Sequence, residues 1–226
     1  MDFKQLKDNV KSLLVNREYD NIIELAKTNK RIISVLISFS YEKTSELTWN
    51  SIQMIGRIVG NMPYEEARKQ VRKLLWNATD ESGTIPWTVP EILGEIIREN
   101  PTPFEDIVPI LIGYSHSETE DNIFLSGVVY ALGRIGQRHP KYISSYAEII
   151  VKDSLRHKDP EVCANACIAV KRLNLTDMEI DQSRPLRSLW DELKKRDDTA
   201  TVFYEDKVMT LTISQLVDLL ERYSDG

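Results

Sequence analysis

Sulfur and imidazole are scarce in this 226-residue chain, which has two cysteines, Cys163 and Cys167, and three histidines, His116, His139 and His157. The cysteines stand four apart in a predicted helix, one turn from each other on one face. Two thiols with no clustered histidine make a poor metal site, so they read as small buried core residues. The histidines are scattered near predicted helix ends, where solvated or capping roles are expected. No uncharged apolar run approaches the roughly 18 residues that span a bilayer. The stretch Met1-Asp2-Phe3-Lys4-Gln5-Leu6-Lys7 lacks the apolar core of a signal peptide, so the expected location is the cytoplasm and no membrane role is expected. Also missing are a nucleophile–base–acid constellation, a P-loop, a dinucleotide fingerprint and a metal-spaced cluster. No enzyme, no cofactor and no metal are therefore expected.

What is present is a folded composition, 42% hydrophobic and 28% charged. The net charge of −6 argues against a general nucleic-acid binder. The charge is unevenly spread: residues 1–75 hold 13 Lys/Arg against 9 Asp/Glu, and residues 76–226 hold 16 against 26. A mildly basic first third and an acidic remainder give a polarised surface.

A repeat dominates the middle of the chain. Trp49–Ile58, Trp87–Ile96, Ser126–Ile135 and Ala164–Leu173 align without gaps, with Gly56, Gly94, Gly133 and Lys171 separated by 38, 39 and 38 residues. Ile55, Leu93, Leu132 and Val170 form one apolar column, and Ile58, Ile96, Ile135 and Leu173 another three residues on. With Met54, Ile92, Ala131 and Ala169 they make the stripe of a helix that buries one face. Glycine costs about 1 kcal/mol inside a helix, so three glycines at one register imply helices packed too closely for a side chain. Each interval holds another helix: Lys30 to Ser40, Pro63 to Leu75, one opened by Thr102-Pro103-Phe104-Glu105 and running to Tyr114, and Lys141 to Arg156. In the third, Thr102 is the expected N-cap and Glu105 its capping-box partner. Asp159-Pro160 caps the last anchor helix. Residues 3–15 and 19–28 form a helix pair without the anchor, as terminal caps of a stack often do.

The period, and the helix ending Tyr130-Ala131-Leu132-Gly133-Arg134-Ile135-Gly136, resemble HEAT repeats, in particular the short bacterial HEAT-like repeats first noted in phycobilisome lyases. The stretch from Leu75 to Ile97, with its Trp-Asn-x-x-Asp-Glu-Ser-Gly and Trp-x-x-Pro-Glu-x-x-Gly-Glu, resembles more narrowly an uncharacterised HEAT-like family of anaerobic prokaryotes. The resemblance covers about residues 28–175. It implies an all-α fold, an α-α superhelix of antiparallel helix pairs, and is nearly silent on function. Residues 1–175 are then the solenoid, with caps over 1–28, and 176–226 a carboxy-terminal cap. That cap reads as a polar loop from Leu175 to Arg184, a helix over Pro185–Arg196, a hairpin, and a final helix. In the hairpin, Thr201-Val202-Phe203-Tyr204 and Lys207-Val208-Met209-Thr210-Leu211 flank a Glu205-Asp206 turn. Thr212 and Gln215 form a capping box for a helix through Arg222. A lone hairpin is marginal in water, so it is expected to pack on the last helices. Its alternative use is strand pairing with a partner.

Three groups are candidates for a binding role. Trp76 and Trp87 flank a loop that contains Asp80 and Glu81, with Glu91 and Glu95 following and Trp49 at the register of Trp87. This patch is expected either to bind a partner or to fill core, with Thr88 capping a helix that has Glu91 at its third position. The column after the glycine holds Arg57, Glu95, Arg134 and Arg172, and its alternating signs read as salt bridges between repeats. In the resembled repeats an arginine often makes such bonds. Arg68, Lys69, Arg72 and Lys73 form a basic ridge, with Glu65 placed to pair with Lys69. The expected function is a non-enzymatic scaffold that binds a protein partner on the concave face, lined by the second helix of each repeat. The expected contacts are Trp49, Arg57, Trp76, Asp80, Glu81, Trp87, Glu91, Glu95, Tyr130 and Arg134. The alternatives are a HEAT-like enzyme or a handler of chromophores or alkylated bases, with a pocket near Trp76–Glu95, and nucleic-acid binding through the basic first third. A resemblance to HEAT-like proteins that bind DNA and excise alkylated bases would imply phosphate contacts by the basic ridge and, for their carboxylate in an aromatic cradle, Asp80 with Trp76 and Trp87.

Overall fold

A computed structural model describes residues 2–79, 87–116, 122–175, 179–181 and 184–222, with 79, 179–181 and 184–187 described by their backbone alone. The structure is mostly helical and ends in a small antiparallel hairpin followed by a helix. No helix among the described residues is long and apolar enough to cross a membrane. The chain divides into two compact units, Met1–Leu111 and Ile112–Gly226. The segment 176–226, expected as a separate cap, is part of the second unit.

The first unit contains α1 (Phe3–Val15), α2 (Tyr19–Thr28), α3 (Ile32–Ile37), α4 (Glu46–Gly60), α5 (Tyr64–Thr79), α6 (Val89–Glu99) and the start of α7 (Ile107–Gly113). Its first helix opens on a reciprocal capping box between Asp2 and Gln5. Ser45 caps α4 by accepting from the Leu47 amide at 3.2 Å. The helix expected from Thr102 is broken. Thr102–Phe104 is a single 3-10 turn in which Thr102 caps nothing, and α7 begins afresh at Ile107. Pro109 explains the restart. In a helix opened at residue 103 it would fall in the interior, losing a bond and striking the carbonyl of residue 105, whereas in α7 it sits in the tolerant first turn.

The second unit holds α8 (Leu125–Arg138), α9 (Ser145–Ser154), α10 (Pro160–Arg172), a short ladder of β1 (Glu179–Asp181) and β2 (Arg184–Pro185), α11 (Leu186–Leu193), the hairpin β3 (Thr199–Tyr204) and β4 (Lys207–Thr212), and α12 (Ile213–Arg222). The helix expected from Lys141 starts at Ser145, because Ser144 accepts from the Ala147 amide and a 3-10 turn occupies Pro140–Tyr142. Asp159 caps α10 as expected, accepting from the Glu161 amide at 2.8 Å. The polar loop expected after Leu175 contains the β1–β2 ladder. The hairpin pairs Tyr204 with Lys207, and Glu205 and Asp206 both have positive φ, 48° and 57°, the backbone of a type I′ turn. The Thr212–Gln215 capping box forms in both directions, at 3.1 and 3.0 Å. Strand β3 and α12 both pack on α10, so the hairpin is docked.

The repeat register governs packing within each unit. In the first, α4 lies on α6: a Cβ added at Gly56 would meet the Glu95 Cβ at 2.6 Å, and one at Gly60 the Glu99 Cβ at 2.7 Å. In the second, α8 lies on α10, and a Cβ at Gly133 would stand 2.9 Å from the Ala169 Cα. These glycines permit the close helix approach that their register implies. The anchor helices do more than bury one apolar stripe. Val89–Ile97, Ser126–Gly136 and Val162–Val170 are buried without a break. The cause is enclosure: α4 touches α1, α2, α3, α5 and α6, and α10 touches α8, α9, β3 and α12.

Candidate functional site

The candidate binding residues fall into two groups. Trp49, Glu91, Glu95, Tyr130 and Arg134 are buried. Trp49 sits inside α4, 3% exposed, and its indole Nε1 donates to the Lys43 carbonyl at 2.7 Å. The same Lys43 turns its ammonium onto Glu91, Nζ to Oε1 at 2.6 Å. Glu91 is 1% exposed, and its second oxygen, Oε2, has no hydrogen-bond partner among the described residues. Thr88 does not cap α6 with its side chain. Its hydroxyl donates to the Ser40 carbonyl at 2.6 Å, tying the start of α6 to the loop before α4. Lys43, which the sequence reading passed over, is thus the polar pin of this region. Its only sequence signal is a lysine six residues ahead of a helical tryptophan.

The expected charge ladder does not start as drawn. Arg57 is exposed and lies over the Tyr19 ring at 5.4 Å, while the Glu95 carboxylate meets Arg98 at 3.5 Å. In the second unit, the Arg172 guanidinium lies over both Tyr130 and Tyr204, 5.5 and 5.8 Å from the ring centres, so an anchor-column arginine fastens the hairpin to the anchor helices.

The second group is exposed. Trp76, near the end of α5, is 74% exposed, and Trp87, two residues before α6, is 57% exposed. The fate of each tryptophan follows from helix bounds. Ala67, Val71, Leu74 and Ala78 are the buried stripe of α5, and Trp76 stands two residues past Leu74, about 200° around the helix. Trp87 shares the register of Trp49 but not its helix, because Pro90 is admitted only in a first turn and so delays the start of α6 to Val89. Asp80 and Glu81 lie outside the described residues.

Around Trp76 the exposed face of α5 is cationic. Lys69, Arg72 and Lys73 are exposed and make no ion pair among the described residues, and the expected Glu65–Lys69 pair is not formed. Arg68 is diverted from the ridge. It forms a two-pronged bond to Asp106 at 2.7 and 2.8 Å and donates to the Pro103 carbonyl at 3.3 Å. That bond holds the Asp106 carboxyl below the ordinary carboxylate range. Beside Lys69 a groove of about 240 Å³ opens between α5 and the α2–α3 turn, with Ile33 and Met62 among its lining and Lys27, Lys30 and Glu66 around it.

The remaining chemistry-bearing groups are structural. Cys163 and Cys167 are fully buried, and the Cys163 thiol donates to the Leu155 carbonyl at 3.2 Å. The hydrogen bond with Cys163, reinforced by burial, pushes the Cys167 thiol well up. His157 accepts from the Asp159 amide through Nδ1 at 3.1 Å, and His116 shares a 2.7 Å hydrogen bond with the Tyr146 hydroxyl. Among the described residues, no group of three or more His, Cys, Asp or Glu is placed to hold a metal. In comparisons with known proteins, no family model matches the chain and no curated protein is similar to it.

Proposed function

We propose that the chain is a non-enzymatic binding module built from HEAT-like helix pairs, and that it takes a protein partner on the surface that carries Trp76 and Trp87. The exposure of these two side chains, 74% and 57%, is the observation that carries the reading. Tryptophan is usually well covered, and it is among the residues that most often anchor protein interfaces. The expected surface was lined by the second helix of each repeat, the interval helices of which α5 is one. Because α4, α6, α8 and α10 are enclosed on most sides, we assign the contact to the exposed face of α5 and to the approach to α6. The alternative of an acid in an aromatic cradle draws no support from Glu91 and Glu95, which are buried and engaged by Lys43 and Arg98.

The test is site-specific photo-crosslinking in native lysate, with the photoreactive residue at position 76 and, as a control, at exposed Tyr41. A single cross-linked protein at position 76, absent at 41 and lost when Trp87 is also changed to Ala, supports the module. Cross-links to nucleic acid, or none above the control, would overturn it.

A further inference from the structure

Three features compete for a further role. The buried thiols are closed to any reagent. Among the described residues, the pocket beside His116 and Tyr146 has no unpaired buried group in its lining. The cationic face of α5 has both an opening and an unmet electrostatic demand.

That face is continuous. Lys69, Arg72, Lys73 and Trp76 follow at helical spacing of three, four and seven residues, so they form one exposed stripe about 10 Å long. Lys69 also lines the groove at the other end of the stripe, whose walls include apolar Ile33 and Met62 and the exposed Lys30. Lys30, Lys69, Arg72 and Lys73 have no ion-pair partner among the described residues. Glu65 and Glu66 occupy the first turn of α5, where they complement the helix dipole, and leave the rest of the stripe positive. The local positive field is set in a chain of net charge −6.

Resting on the proposed binding module, we infer that its partner presents a short acidic segment with one apolar anchor. The anchor enters the groove between Ile33 and Met62, the carboxylates meet Lys30, Lys69, Arg72 and Lys73, and an apolar or aromatic residue further along covers Trp76. The groove's lining is mixed, with Ala26, Ile33 and Met62 beside Lys27, Lys30, Lys69 and the single acid Glu66, and its apolar members offer an anchor site to a side chain that a phosphate backbone would not fill. The acidic remainder of the chain, 26 Asp/Glu against 16 Lys/Arg over residues 76–226, opposes a long polyanion by the same charge.

The experiment pans a displayed library of random 12-residue peptides on the full chain at physiological salt. A parallel selection uses the Lys69→Glu, Arg72→Glu, Lys73→Glu variant, whose helical circular dichroism and unfolding midpoint are first matched to the parent. The expected result is enrichment of peptides with net negative charge and a central apolar residue, and a loss of affinity of at least tenfold for those peptides on the triple variant. Met62→Ser, with the charges intact, is expected to weaken the same peptides by a few fold. Enrichment of neutral or basic peptides, unchanged affinity on the triple variant, or displacement of the selected peptides by an equal-length oligothymidylate would each overturn the inference. Failure here with a Trp76 cross-link intact leaves the binding module standing and removes only the acidic partner.

Discussion

The α4–α6 and α8–α10 contacts share one glycine register and differ in what fills it. In the first unit, Gly56 and Gly60 receive the bases of Glu95 and Glu99, and the nearby buried polar contact is ionic, Lys43 to Glu91. In the second unit, Gly133 and Gly136 receive Ala169 and Leu173, and the buried polar contact is neutral, Asn165 Nδ2 donating to Ser126 Oγ at 2.9 Å. The glycine therefore specifies only how near the two backbones come. The chemistry of the seam is set independently, and the ionic seam is the more vulnerable. Both partners of a neutral pair can be lost at modest cost, whereas a buried carboxylate stripped of its cation has no substitute.

The largest effect should come from breaking the ionic seam on one side. Lys43→Met leaves Glu91 buried without its cation and should cost about 3 kcal/mol, read as a drop in the urea midpoint. Adding Glu91→Leu should recover most of it, a coupling that a double-mutant cycle measures directly. Next is the shared register. Gly56→Ala gains about 1 kcal/mol of helix propensity yet should lose a net 1–2 kcal/mol, because its methyl meets backbone and Cβ atoms of Glu95 that cannot swing away. At Gly136 the obstructing atoms are side-chain ends of Leu173 and Ile143, so Gly136→Ala should cost less, and a reversal of that order would break the comparison. On the neutral seam, Asn165→Ala should cost about 1 kcal/mol with no dependence on pH between 5 and 8.

The smallest effect concerns the tie between α5 and the turn before α7. The Asp106 carboxyl is held below its unfolded range by Arg68, so its contribution is present above the unfolded pKa of about 4 and fades as pH falls through the lower folded value. Asp106→Asn should therefore cost under about 1 kcal/mol at pH 7, since the carboxylate is exposed, and the gap to wild type should close in acid. A gap that widened in acid would reverse the assignment.

Much of this was legible in the sequence wherever a cap and a periodic stripe coincided. Helices α1, α2 and α12 run over the residues expected, the glycine register implied close packing, and the hairpin was read with its turn and capping box in place, although its strands reach outward to Thr199 and Thr212. The misses have local causes. Pro109 moved a helix start that Thr102 seemed to mark, Ser144 did the same for α9, and Pro90 put Trp87 outside a helix in which its counterpart Trp49 is buried. Alignment by register assumes equal helix starts, and proline breaks that assumption. Trp76 lay past a helix expected to end at Leu75, but α5 runs on to Thr79, and on its stripe Trp76, two residues from Leu74, faces outward. The Lys43–Glu91 pin was not readable, since nothing in the 47 intervening residues relates the two.

The turn at Glu205-Asp206 carries a consequence for the order of folding. Both residues hold left-handed backbone, which aspartate tolerates and glutamate resists, where Asn-Gly would adopt it freely. The turn alone therefore favours the register of β3 and β4 less than Asn-Gly would. The register is selected by the burial of Val202, Phe203 and Tyr204 in the unit that α10 organises, and by Arg172 spanning the Tyr130 and Tyr204 rings. A hairpin whose register rests on the helices it packs against is expected to close late in the folding of its unit, as a lock on helices already in place.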